Sequence, residues 1–293
     1  IWLRDLPVKP QHMAKLSRVQ GLKKIWISER ATLNGPRGWI AEESVDALLS
    51  SLKDVKGLET FRLQTREKTA TAAAFAQWKS AATLKTLELE GVAIDRAGWA
   101  SLQEFTSLEL LRYHAPAEAI DWETLAALPN LRHVHLNFID DAALEGIRHC
   151  QQIRKLHLGA TFTDAGLRHV TQMPHLETLT LWHSRIDGSG FADVKNLTGL
   201  KSVRLEGTQL NDDGLQHVVQ LPALEKLSFE RTRVTPEGMK ALLRAKATLK
   251  DVTPTETKYE IGSELRNPYY RMAREIKKSA PEMKFHFAAD IPP

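Results

Sequence analysis

The chain has 293 residues, 42% of them hydrophobic, which is enough to bury a large core. Its 40 basic residues against 36 acidic ones leave a formal charge of +4, a mixed surface and not the clustered basicity of a nucleic-acid-binding domain. A single cysteine, Cys150, excludes a disulfide framework, and no apolar run reaches the roughly 18 residues that a membrane-spanning helix needs.

Reading from the start, Ile1 and Leu3 lie 24 residues ahead of Ile25 and Ile27. They are read as the remnant of a strand, followed by a helix near 12–19, so that 1–21 forms a partial N-terminal repeat or cap. The chain opens on Ile1 and not on methionine, which points to a segment upstream.

From Leu22 one pattern recurs: an apolar anchor, a second three residues on and a third two residues after that. The first anchors are Leu22, Leu58, Leu84, Leu108, Leu131, Ile153, Leu176, Leu200 and Leu224. Their successive spacings of 36, 26, 24, 23, 22, 23, 24 and 24 make nine registers of L-x-x-L-x-L. The long first spacing holds an insertion near 29–40, with Asn34-Gly35-Pro36 as a turn signal.

The second half of each unit repeats as well. An apolar residue precedes a helix N-cap type in Ile94-Asp95, Ile120-Asp121, Ile139-Asp140, Phe162-Thr163, Ile186-Asp187, Leu210-Asn211 and Val234-Thr235. Such side chains accept hydrogen bonds from the free N–H groups of a first helical turn. Three residues after the cap sits a small residue such as Gly98, Gly166, Gly190, Gly214 or Gly238, which lets each helix approach its neighbour closely. A strand plus a helix every ~24 residues cannot bury its apolar sides alone, so the units stack into a solenoid.

These residues resemble the leucine-rich-repeat family over about 22–250. The variant is L-x-x-L-x-L-x-x-[TS]-x-[VIL]-[TDN]-x-x-G-L, common in bacterial proteins and similar to the F-box-associated repeats of eukaryotes. The resemblance implies an α/β solenoid, a right-handed horseshoe or arc with a parallel sheet on its concave face and helices outside. It also implies a binding scaffold with no particular activity. Residues 22–252 are assigned to the solenoid and 253–293 to a C-terminal cap, in which 259–279 reads as a charged helix and Met283–Phe287 as an alternating strand.

Side chains alternate along a strand, so the residue between the last two anchors faces out of the sheet, flanked by those two before and two after it. The central row then runs Trp26, Arg62, Glu88, Arg112, His135, His157, Thr180, Arg204, Ser228, in which Glu88 can pair with either neighbouring arginine. Arg112, His114, His133, His135, Asn137, Phe138, His157, Trp182, His183 and Arg204 form the candidate partner-binding patch, because exposed tryptophan and arginine are enriched at binding hot spots. Histidines on an exposed sheet also serve as plain polar filler. His133, His135 and His157 offer three imidazoles on one face, the basis of an alternative metal-binding or enzymatic role. Cys150, at a helix end, reads as buried packing.

No phosphate-binding loop, nucleophile elbow, H-E-x-x-H or paired C-x-x-C is present. The expectation is a monomeric, non-enzymatic scaffold without cofactors, binding a protein or peptide, free-standing or as a targeting or regulatory part of a longer polypeptide. Glu88, Glu90, Glu206 and Glu230 interrupt the face and place nucleic acid below protein as a partner.

Overall fold

The last two anchors of each L-x-x-L-x-L run fall in a short strand and point inward, the first is buried just ahead of it, and the segment after the strand turns back, in most repeats through a brief helix. The computed structural model describes residues 1–4, 9–28, 45–114, 120–159, 161–192, 194, 196–245, 249–254 and 284–285. The insertion near 29–40 and the charged helix over 259–279 lie outside the described residues. The chain divides into two compact units, Ile1–Phe138 with His149–Ile153, and Ile139–Arg148 with Arg154–Pro293.

In the first unit the elements run β1 (Trp2–Arg4), α1 (Pro10–Ala14), β2 (Lys24–Ser28), α2 (Val45–Ser50), β3 (Thr60–Ala70), α3 (Ala72–Phe75), β4 (Thr86–Ile94), α4 (Arg96–Ser101), β5 (Leu110–His114), α5 (Trp122–Ala127) and β6 (His133–Asn137). All six strands are parallel and ordered as in the sequence. Ile25, Phe61, Leu87, Leu111 and Val134 stack behind them, fully buried, and each buried side chain of this size contributes roughly 1.5–3 kcal/mol. Aromatic rings fill the space under the helices, with Phe61 edge-on to Trp78 at 5.4 Å and Trp99 edge-on to Tyr113 at 5.2 Å. The buried Tyr113 hydroxyl accepts from the Ile94 N–H at 3.1 Å. Strands β3 and β4 run on past the usual five residues and pair a second time, Lys68 with Val92 through Ala70 with Ile94, after a bulge.

The second unit holds α6 (Asp141–Leu144), β7 (Lys155–Gly159), α7 (Asp164–Val170), β8 (Thr178–Trp182), β9 (Ser202–Glu206), α8 (Asp212–Val219), β10 (Lys226–Ser228), α9 (Pro236–Ala245), β11 (Asp251–Thr253) and β12 (Lys284–Phe285). Its strands are again parallel and sequential, β12 lying against β11. Between β8 and β9 the expected helix is only a single 3-10 turn, Ser189–Phe191, entered through Gly188 at φ +103°.

Two devices tie neighbouring repeats together. The first lies at the residue after the first anchor. In the first unit Lys23 O accepts from Glu59 N, Glu59 O from Lys85 N, Lys85 O from Glu109 N and Glu109 O from Arg132 N, at 2.8–3.0 Å. In the second, the same bonds link Arg154, Glu177, Lys201, Glu225 and Lys250. The side chains on this ladder alternate in sign, and Lys23–Glu59, Lys85–Glu109, Arg154–Glu177 and Lys250–Glu225 pair at 2.8, 3.8, 2.8 and 3.1 Å. The Lys23 ammonium, bonded to Glu59, holds that carboxyl below its ordinary range.

The second device sits on the helical side. Six of the seven expected N-caps form; Asp95, for example, accepts from Gly98 N at 2.6 Å and Asn211 from Gly214 N at 2.9 Å, while at the seventh Asp187 accepts from Ser189 N at 2.9 Å and Gly188, not Asp187, stands at the cap of the turn that follows. The aspartate after the cap reaches into the next repeat. Asp141 accepts from the Thr163 N–H and hydroxyl, both at 2.7 Å, and from Gly166 N at 3.1 Å. Asp46 does the same for Thr71 and Asp212 for Thr235, while Asp164 takes the N–H groups of Asp187, Gly188 and Gly190. These bonds explain the small residue: a Cβ at Gly166 or Gly238 would collide with the side chain of Asp141 or Asp212, and one at Gly190 would stand 2.8 Å from the Asp164 carbonyl.

Replacing Asp141 by alanine leaves two N–H groups and a hydroxyl without their charged acceptor. Urea unfolding is expected to show a loss of about 2–3 kcal/mol, against under about 0.5 kcal/mol for Asp213→Ala, whose exposed side chain makes no such bond among the described residues. Equal effects would remove Asp141 from the joint.

Candidate functional site

The sheet face opposite the helices is built by the alternation itself. In β5, β6 and β9 the outward residues are partly or fully exposed while those between them are buried, and parallel register brings outward residues into rows across strands.

In the first unit the central row is Trp2, Trp26, Arg62, Glu88, Arg112 and His135. Its members hold one another in place. Trp2 stacks on Trp26 at 4.9 Å and 19°, and the Arg62 guanidinium lies 4.4 Å from the Trp26 ring centre on that face of the sheet, a cation–π contact. Glu88 Oε2 takes both expected arginines, Arg62 at 3.5 Å and Arg112 at 3.4 Å. Beside them Ser28 donates to Gln64 at 2.8 Å and Gln64 to Glu90 at 3.0 Å. At 3.4–3.5 Å the Glu88 pairs are loose and their side chains half-buried, so they fix the arrangement of the row.

Next along the sheet, the His114 and His135 rings meet edge to face at 4.6 Å. Burial lowers the His114 pKa, with the nearby Arg112 and Arg62 charges acting the same way and Glu90 opposing them. Trp26 Nε1, Arg112 Nε, His114 Nε2 and Asn137 Oδ1 are buried with no hydrogen-bond partner among the described residues. Phe138, just past β6, is 63% exposed and has a left-handed backbone at φ +60°, a conformation rare for an aromatic residue.

In the second unit the outward positions are His157, Thr180, Arg204 and Ser228, with Trp182 and Glu206 in the row beyond. His157 meets Trp182 edge to face at 6.3 Å. Arg231 pairs with Glu206 at 3.7 Å. His183, like Phe138 and Arg231, follows its strand in the left-handed region, at φ +49°.

The ten residues expected to form one patch therefore divide. Arg112, His114, His133, His135, Asn137 and Phe138 belong to the first unit, and His157, Trp182, His183 and Arg204 to the second. Sequence reasoning placed Trp26 and Arg62 in the central row but left them out of the patch, and it overlooked Trp2. The signal was present: Trp2 lies 24 residues before Trp26. No three His, Cys, Asp or Glu side chains converge as metal ligands among the described residues. Cys150 is buried with its Sγ 3.9 Å from the Trp122 carbonyl, and burial pushes its thiol up to about 12.

No family model and no curated protein sequence matches the chain. In structure it is similar to an internalin, InlF, of Listeria monocytogenes, with 14% identity over 84% of this chain and 71% of that one at a TM-score of 0.50. It is also similar to TLR13 in a complex with the RNA ssRNA13, with 17% identity, coverage of 86% and 35% and a TM-score of 0.59. Both are leucine-rich-repeat proteins. The chain has the leucine-rich-repeat fold. It spans about a third of the TLR13 chain's length, and at these identities the likeness speaks for the fold alone.

Two titrations check the local chemistry. The unfolded chain binds the His114 proton near pH 6.5, whereas the folded chain takes it up only at lower pH, so this residue makes the leucine-rich-repeat fold lose stability as pH falls below 6.5. An NMR midpoint for His114 at or above 6.5 would contradict its burial. Cys150 is expected to resist a thiol reagent at pH 8 in the native chain and to react once urea unfolds it; prompt native reaction would place the thiol at the surface.

Proposed function

We propose that the chain is a non-enzymatic scaffold that binds a protein or peptide partner on the open strand face of its sheet. The observation that carries this reading is the set of polar atoms on the first unit's face, Trp26 Nε1, Arg112 Nε, His114 Nε2 and Asn137 Oδ1, buried yet unmatched by hydrogen bonds among the described residues. Leaving such groups unmatched costs about 1–3 kcal/mol each, and a partner that supplies the missing donors and acceptors recovers that free energy on binding. Phe138 beside them offers an apolar anchor, held forward by its left-handed backbone. The fold supports the reading, since stacked repeats present a long regular surface with no cleft of their own required. We assign the repeats to the bacterial, F-box-like class on the [TDN]-x-x-G pattern of their helical half, and residues 253–293 to a cap over the last repeat. Neither a metal site nor an enzymatic one gains support from the histidines.

Affinity capture from a lysate of the source organism, with mass spectrometry, compares wild type with an Arg112→Ala/Phe138→Ala variant. The expected result is a protein retained by wild type and depleted about ten-fold or more by the variant, which corresponds to about 1.4 kcal/mol. An identical set of captured proteins would overturn the assignment of this face.

A further inference from the structure

On the open face of the second unit Arg204 stands apart from its surroundings. Its register neighbours across the strands are Thr180 and Ser228, both buried at 4% and 8% exposure, and the row before it adds Thr178 and Ser202. These short side chains make a low floor two strand spacings, or about 10 Å, across. Arg204 itself is exposed and, among the described residues, has neither an ion pair nor a hydrogen-bonded partner for its guanidinium. The nearest acid along its own strand, Glu206, is engaged by Arg231 at 3.7 Å. Trp182 lies directly across from Glu206 on β8 and forms one side of the floor.

This differs from the first unit, where both central arginines are committed to Glu88. A guanidinium presents a planar fork of donors that matches a carboxylate in bidentate fashion, and here no acid among the described residues takes the fork. The Ser228 hydroxyl, buried and without a hydrogen-bond partner among the described residues, adds a group able to bond a peptide main chain laid over it.

We propose that this trough binds an extended segment of a protein partner carrying a single carboxylate side chain, with the carboxylate on Arg204 and the segment lying over Thr180 and Ser228 against Trp182. The inference rests on the protein-binding reading above and adds the chemistry of the partner. The charge around the trough selects protein over nucleic acid. Glu206 and Asp251 share this face with Lys155 and Lys226, so an isolated anion is accommodated where a continuous run of phosphates meets repulsion.

The test is selection from a phage-displayed library of random peptides on the immobilised full chain, followed by fluorescence polarisation with the enriched peptides made synthetically. Enriched sequences are expected to share an aspartate or glutamate. Their affinity is expected to fall about ten-fold or more with Arg204→Ala and with replacement of that acid by its amide, and to return in part with Arg204→Lys. Arg204 is exposed, so circular dichroism and unfolding midpoints of the variants should match wild type. Peptides without an acid, no enrichment at all, or binding that ignores Arg204→Ala but is lost with Arg112→Ala would overturn this proposal; the last result would leave the protein-binding reading standing. Tight binding of a single-stranded polyuridine probe that depends on Arg204, with no peptide enriched, would overturn both.

Discussion

No repeat of this chain can bury its own apolar side. A five-residue strand with two inward anchors, a third just ahead of it and one turn or two of helix leaves apolar surface open on the side of the next repeat, and only that repeat, stacked in register, closes it off. Everything else follows from that dependence. Register must be kept at each step, because a shift of one residue along a strand would turn the inward leucines outward. The main-chain ladder through Lys23, Glu59, Lys85, Glu109 and Arg132 and the aspartate bonds on the helical side fix the stacking from both edges.

The same stacking creates the binding face. Because the inward anchors occupy alternate positions, the positions between them are free of any packing duty, and the chain can place there whatever recognition needs. In the first unit it places a stack of mutually supporting groups, Trp2, Trp26, Arg62, Glu88 and Arg112, in which each long side chain is held by the next. Side chains already ordered lose less entropy when a partner arrives. In the second unit the floor is short and polar, and single large groups stand on it. One architecture thus supplies two kinds of surface by changing only the outward residues.

The strands and the caps were legible because their signals are local. Apolar anchors at fixed spacing and an N-cap residue just after an apolar one do not depend on what lies elsewhere. The bonds from Asp141, Asp164 and Asp212 into the following repeat were not legible, since an acid in a first helical turn already has a sufficient reason in the helix dipole. The single turn at Ser189–Phe191 in place of a helix was hidden for a related reason: Asp187-Gly188-Ser189 reads as a capped start, whereas Gly188 takes a left-handed backbone at a place where any Cβ would run into Gly214 of the next repeat. For the site, the rows could be read from alternation alone. The left-handed positions of Phe138, His183 and Arg231 could not, because only Gly91 and Gly207, at the equivalent place in other repeats, announce that geometry. Nor does any sequence signal mark the division of the chain into two units.

The alternating charges on the ladder carry one more consequence. Lys23, Glu59, Lys85, Glu109 and Arg132 run plus, minus, plus, minus, plus, and so do Arg154, Glu177, Lys201, Glu225 and Lys250. Repeats are similar enough that a folding chain has a plausible wrong choice, in which a strand skips its neighbour and docks on the repeat after it. That mistake still sets apolar anchors against apolar anchors. It does not preserve parity: every correct junction within a unit joins opposite signs, and every junction that skips one repeat joins like signs. The alternation thus sets correct order apart from a skipped repeat, in side chains that contribute little to the stability of the finished fold.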